Sequence, residues 1–284
     1  MSPQNFHLDG DGPTDREEPW PVPGRSPLLI LVVIFLSVLA VVLGGLAVAA
    51  LAEGSRIAAA VCAWGALLFG HVAGLSVYLR WRPLRQRART PRIDGTSDGA
   101  GVSFRYSAWG YYWSTTVVLF AVGALAPIIA AGFSNGILGW LISIAIALTG
   151  LLLIALYGLM LARAPGKLIL TPQGLHHRGL TFEQYAPWSA VLLVAPATVN
   201  RARSVMVHLE PSAEVRVRNV VPARFGVREQ ALLPDIVVRD PWLLADPMLV
   251  YRTVRHYQEH PEHRGELSGE AALERIAQRR FPTA

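Results

Sequence analysis

The sequence predicts an α+β membrane protein, with four transmembrane helices in two hairpins followed by a small β-rich domain covered by a helix. Four apolar blocks long enough to cross a bilayer precede Ala164. After Lys167 the apolar runs shorten and turn residues punctuate them. A well-capped amphipathic segment then closes the β-rich stretch. With 284 residues, 52% of them hydrophobic, the chain has room for about two domains.

Leu28–Ala52 carries no charge, and at about 1.5 Å rise per residue it outruns the roughly 30 Å hydrocarbon layer. A signal peptide competes with this reading, but signal cores are usually only about 7–15 residues long and follow a basic start. Here the run follows Asp9, Asp11, Asp15, Glu17 and Glu18, so a retained anchor is expected. Ile57–Leu79, Tyr112–Phe133 and Ile137–Ala162 form the other spans, with a kink expected at Pro127. The links Glu53–Arg56 and Ser134–Gly136 are so short that each pair must be an antiparallel hairpin, over 27–79 and 112–162. Residues 1–26, acidic and proline-rich, read as a disordered tail.

Orientation follows from arginine. Lys167 is the sole lysine, and the Ala, Gly, Pro and Arg usage points to a GC-rich bacterial genome. The connector 80–111 begins RWRPLRQRARTPR, with Arg80, Arg82, Arg85, Arg87, Arg89 and Arg92 beside the second span, whereas the hairpin tips hold only Arg56. The positive-inside rule puts this connector in the cytoplasm, and both termini with it, at the bacterial cell (inner) membrane. At roughly 1 kcal/mol each, the six arginines are also candidate contacts for anionic lipid, although topology alone accounts for them. Trp81, Trp109, Tyr111, Tyr112 and Trp113 read as an interfacial aromatic belt.

Tyrosine phenols apart, the ionisable side chains within the spans are Cys62 and His71. No charged neighbour continues a proton relay from His71, and Gly70 and Gly74 flank it at GxxxG spacing, so Gly70, His71 and Gly74 are expected to pack helices. Cys62, the only cysteine, excludes an internal disulfide or a thiolate metal cluster.

In the C-terminal part, KLILT, then PQG, then LHHRGL predicts a hairpin with its turn at Pro172–Gly174. Phe182–Trp188 and Val191–Val194 follow as strands, and Val205–Glu210 and Val215–Arg218 alternate with period two. Ile236–Val238 is the last strand. Asp246 suits an N-cap and Pro247 a first turn, Val250, Tyr251, Val254 and Tyr257 share one helix face, and Pro261 stops the helix. In the tail 262–284, Leu273, Ile276, Ala277 and Phe281 recur at helical spacing, which fits packing on the domain or lying along the membrane.

The order LILTPQGL, HRGL, a PW pair leading into an apolar strand and a capped C-terminal helix resembles the bacterial pleckstrin-homology-like (PH-like) domains attached to membrane spans. The ending ADPMLVYRTVRHYQEHPEHRGELSGEAALERI resembles a recurring tail of actinobacterial membrane proteins, and together the likeness covers roughly 164 to 277, with the domain at 163–261. It implies a seven-stranded β-barrel capped by a helix, used for docking rather than catalysis. The eukaryotic phosphoinositide-binding members carry a basic loop between their first two strands; PQG stands there in this chain, which argues against that ligand.

His256 and His260, four apart on a helix with His263 beyond Pro261, have the spacing to share a metal. Histidines at a helix C-terminus also complement its dipole, and HYQEHPEH supplies no firm ligand set, so no metal and no cofactor are expected. His176 and His177 are strand neighbours and face opposite ways. No glycine-rich phosphate loop, HExxH or serine elbow occurs. Arg201, Arg203, Arg216 and Arg218 lack any reading module around them, so nucleic acid is not expected as a partner. The function expected is a non-catalytic membrane scaffold with membrane lipids and a protein as partners. A small transporter or channel component, or a lipid-modifying enzyme at the membrane surface, are the alternatives.

Overall fold

A computed structural model describes residue 20 and residues 27–81, 91–96, 99–162, 164–179, 181–199, 202–211, 214–219 and 232–281. The expected disorder of 1–26, Trp20 apart, lies outside the described residues, as do Arg82, Arg85, Arg87, Arg89 and Arg201.

The apolar blocks form helices α1 (Pro27–Ala52) and α2 (Arg56–Trp81), then α3 (Ala108–Gly123), α4 (Ala126–Gly132) and α5 (Gly136–Leu161). Counting α3 and α4 as one interrupted element, four helices among the described residues are long and apolar enough to cross a membrane. The turn between α1 and α2 hinges on Gly54, whose φ of 78° is open to glycine at no steric cost. The interruption between α3 and α4 follows from Pro127, which has no N–H and whose ring meets the carbonyl four residues earlier, at Gly123. Leu125 N–H instead donates to Val122 O at 3.0 Å, a tighter turn. Large side chains such as Leu28, Val41, Ile57 and Ile137 are exposed along these helices, a surface suited to lipid rather than water.

The β-rich domain draws on two separate stretches of chain. The connector does more than link spans: β1 (Arg92–Thr96) and β2 (Gly99–Arg105) form an antiparallel pair within it. After α5 come β3 (Lys167–Leu170), β4 (Gly174–Arg178), β5 (Phe182–Pro187), β6 (Val191–Val199), β7 (Ala202–Leu209), β8 (Arg216–Asn219) and β9 (Ile236–Arg239). Six strands make one sheet in the order β1-β2-β3-β4-β5-β8, and three make a second in the order β6-β7-β9. Every pairing is antiparallel.

The closed barrel expected for this domain does not form. Pro187 lacks an N–H, and the 3-10 turn Trp188–Ala190 after it swings the chain out of the first sheet, so β5 takes β8 as its next partner and β6 starts a new sheet. At the other side, β2 occupies the edge of β3. One core nonetheless fills the space between the sheets, built from Phe104, Leu168, Leu170, Leu175, Val205, Val207 and Ile236.

Helix α6 (Pro247–Glu259) covers β6 and β7. The Asp246 carboxylate accepts from Met248 N–H at 3.0 Å, Pro247 opens the first turn, and Val250, Tyr251, Val254 and Tyr257 are buried. Burying four such side chains stabilises the domain by about 6–12 kcal/mol before the entropy cost of ordering them. Beyond it the 3-10 helix Pro261–Ser268 rests on β2, and α7 (Glu270–Ala277) rests on β1 with Ala272 and Ile276 buried, so the tail packs on the domain.

Candidate docking slot and its junction with the helices

β6 is an outer strand, paired among the described residues only with β7. A bulge at Leu192 and a proline at 196 keep its free edge from offering a regular ladder to another strand. Leu192 and Leu193 are 60% and 44% exposed. The edge is met from the side by α6, where Gln258 donates through Nε2 to Leu192 O at 3.1 Å.

Trp20 sits where this edge and α6 meet. Its indole is only 3% exposed, its Nε1–H donates to Ala197 O on β6 at 3.0 Å, and its ring meets Tyr251 of α6 edge-on, centroids 6.0 Å apart. An apolar ring buried against the core with its one polar atom satisfied by a strand-edge carbonyl is the chemistry of an aromatic anchor in a peptide groove. The sequence signal was present in EEPWPVP, a lone aromatic among prolines, but neither the edge nor the helix that receives it is local to that stretch.

The domain is fastened to the helices at the start of α3. Tyr78 of α2 donates to Ser107 Oγ at 2.6 Å, Ser107 N–H donates to Trp242 O at 2.7 Å, and Tyr111 stacks on Trp242 while its hydroxyl accepts from Gly166 N–H. Gly110 admits the Trp242 ring: a Cβ there would lie 2.7 Å from it. Of the expected aromatic belt, Trp109 and Tyr112 are exposed, whereas Tyr111 is buried in this junction because its hydroxyl finds a backbone donor there. Tyr106, just before α3, shares a 2.8 Å hydrogen bond with Nε2 of His177 on β4. Burial holds the His177 imidazole down to about 4, so the ring stays neutral. His176 faces the other way, against Tyr185.

The remaining candidates are spread out. Gly74 lies under the ring of Trp113 on α3, Gly70 approaches Ala40 on α1, and His71 lies between Trp113 and Phe120 with its Nδ1–H donating to Leu67 O at 2.8 Å. The two glycines thus serve different neighbours. Arg80 lies in the last turn of α2, and Arg92 opens β1 with its side chain exposed. Arg203 pairs with Asp240 at 2.9 Å, and Arg216 lies 4.8 Å over the Tyr185 ring. His256, His260 and His263 are brought together at the end of α6. No protein-family model, curated protein or solved structure matches the chain.

Proposed function

We propose that the chain is a non-catalytic membrane scaffold, anchored by its four apolar helices, with both termini and a PH-like docking domain on the cytoplasmic face. Its partner is a protein that presents an aromatic side chain flanked by prolines to the slot between β6 and α6. The observation that carries this reading is the burial of Trp20 in that slot, a resident occupant of the same chemistry. Among the described residues, seven strands from Lys167 onward followed by the amphipathic helix α6 support the PH-like part of it, in sheets that do not close into a barrel. The exposed apolar helix faces agree with lipid as the surroundings.

The test uses the full chain carrying Trp20→Ala in detergent, and a labelled peptide of residues 14–26 added in trans. Binding that a further Tyr251→Ala change weakens by at least about tenfold is expected. The unmodified chain, its slot filled, should bind the peptide less well. Absence of binding, or equal binding by all three chains, would overturn the slot. Turnover of a lipid or nucleotide by the purified full chain would overturn the scaffold.

A further inference from the structure

His256 lies in the last turn of α6, His260 is the residue that caps its C-terminus, and Pro261 follows. The 3-10 helix that follows turns the chain back, so that the His263 ring stacks on His256 with 15° between planes and centroids 5.1 Å apart. His260 lies 4.7 Å from His256 and 5.3 Å from His263 between centroids, closing a triangle of imidazoles. Glu262 adds a carboxylate whose Oε1 is 3.0 Å from His260 Nδ1. One ligand atom from each of His260, Glu262 and His263 falls within 4.8 Å of the others, and all three side chains reach solvent.

We propose that His260, Glu262 and His263 form a binding site for a divalent transition metal of the zinc class. Ligands on one zinc ion, each about 2.0–2.2 Å from it, stand roughly 3.5 Å apart, so closure needs rotamer adjustments of about an ångström in exposed side chains. Two imidazoles and one carboxylate are too nitrogen-rich for magnesium or calcium and suit zinc, with water completing the tetrahedron.

His256 is the supporting residue. It is 3% exposed, and its Nε2 lies 3.1 Å from His263 Nδ1. When His263 donates from Nδ1 to that nitrogen, its own Nε2 lone pair is free for the metal, the usual arrangement behind a ligating histidine. Helix-dipole complementarity does not explain the group: it rewards one cation at the helix end and gives no reason for three imidazoles and a carboxylate to converge. Nearby, Arg275 is held in a two-pronged pair with Glu266 at 2.7 and 2.8 Å, which offsets part of its repulsion toward a bound ion. A metal here would tie the end of α6 to the 3-10 helix that rests on β2.

The experiment is calorimetric titration of Zn2+ into the chelator-treated full chain in detergent, with Co2+ as a spectroscopic substitute. One ion per chain and a tetrahedral cobalt spectrum are expected. Loss of either histidine ligand, as His260→Ala or His263→Ala, should weaken binding by at least about 100-fold, more than the roughly 10–100-fold typical of a supporting residue. Glu262→Gln, at an exposed side chain, removes the carboxylate and leaves α6 intact; it should weaken binding by about tenfold or more. Zn2+ should raise the melting temperature of the unmodified chain and leave that of the double histidine variant unchanged. The site is overturned by absence of saturable binding, by unchanged affinity in a folded double variant, or by an octahedral cobalt spectrum.

Discussion

Protonation of His177 offers a direct measure of how tightly the β-rich domain is sealed. The side chain is 2% exposed on β4, with Tyr106 hydrogen-bonded to Nε2 and no partner at Nδ1 among the described residues. Leu168 and Gln184 flank it across the sheet and Phe182 meets its ring edge-on, so no carboxylate among these neighbours offsets a positive charge. Burial therefore holds it at about 4 instead of 6.5. Above pH 6.5 the folded and unfolded chains both carry the neutral ring, and this residue makes no pH-dependent contribution. Between 6.5 and about 4 only the unfolded chain takes up the proton, so the folded state loses stability as pH falls, by about 3 kcal/mol at the lower limit. For a domain of this size that is a drop of roughly 10 °C in melting temperature. His256 is also held near 4, chiefly by burial, and contributes to the same trend. The assay therefore compares the unmodified chain with His177→Gln, which keeps a hydrogen-bonding group for Tyr106 and does not titrate. Near-UV circular dichroism melts of both, in detergent at about pH 7.5 and about pH 4.5, should show a distinctly smaller loss for the variant. Equal losses would refute the reasoning.

Gly110→Ala should cost about 1–3 kcal/mol, because the new Cβ meets Trp242 and the junction must open; Gly265→Ala, in open space, is the control in the same melting assay. Asp94→Ala removes the shared partner of Arg105 and Lys167, at 2.7 and 3.3 Å, and should lower stability by no more than about 1 kcal/mol, since these are partly exposed pairs. Pro127→Ala should restore a continuous helix from α3 into α4, read as a narrower distance distribution between spin labels on the two. A reporter fused to the C-terminus should be active only in its cytoplasmic form; activity outside the cell would reverse the assigned orientation.

The elements legible in the sequence were those whose signal is local. Apolar length located α1, α2 and α5 to within one or two residues, and Asp246-Pro247 with the Val250, Tyr251, Val254 and Tyr257 stripe located α6. The strands from Lys167 to Arg239 stood out by turn residues and alternation. What escaped was set by distant pairing. GVSFR is only five residues in an arginine-rich link, and Val102 and Phe104 declare themselves a strand only when β3 lies alongside. The PW pair marked a strand end correctly, but whether the chain then closes a barrel depends on which strand takes the edge of β5, and β8 does so from about 30 residues later. His256, His260 and His263 looked like a helix-end run with too few ligands because the return of the chain after Pro261 is invisible in a one-dimensional pattern.

Neighbouring strands β2 and β3 are separated in sequence by the whole of α3, α4 and α5, yet Tyr106 N–H donates to Gly166 O at 2.8 Å. The second helical pair is thus, in topological terms, one very long loop pinched shut at its base. Spreading those helices apart at that base must unzip the strand pair above it, so strain in the apolar layer would be transmitted to the sheet. During synthesis the first two strands must wait with an unsatisfied edge until some sixty further residues have emerged, which makes completion of the sheet a late checkpoint on assembly of the whole chain.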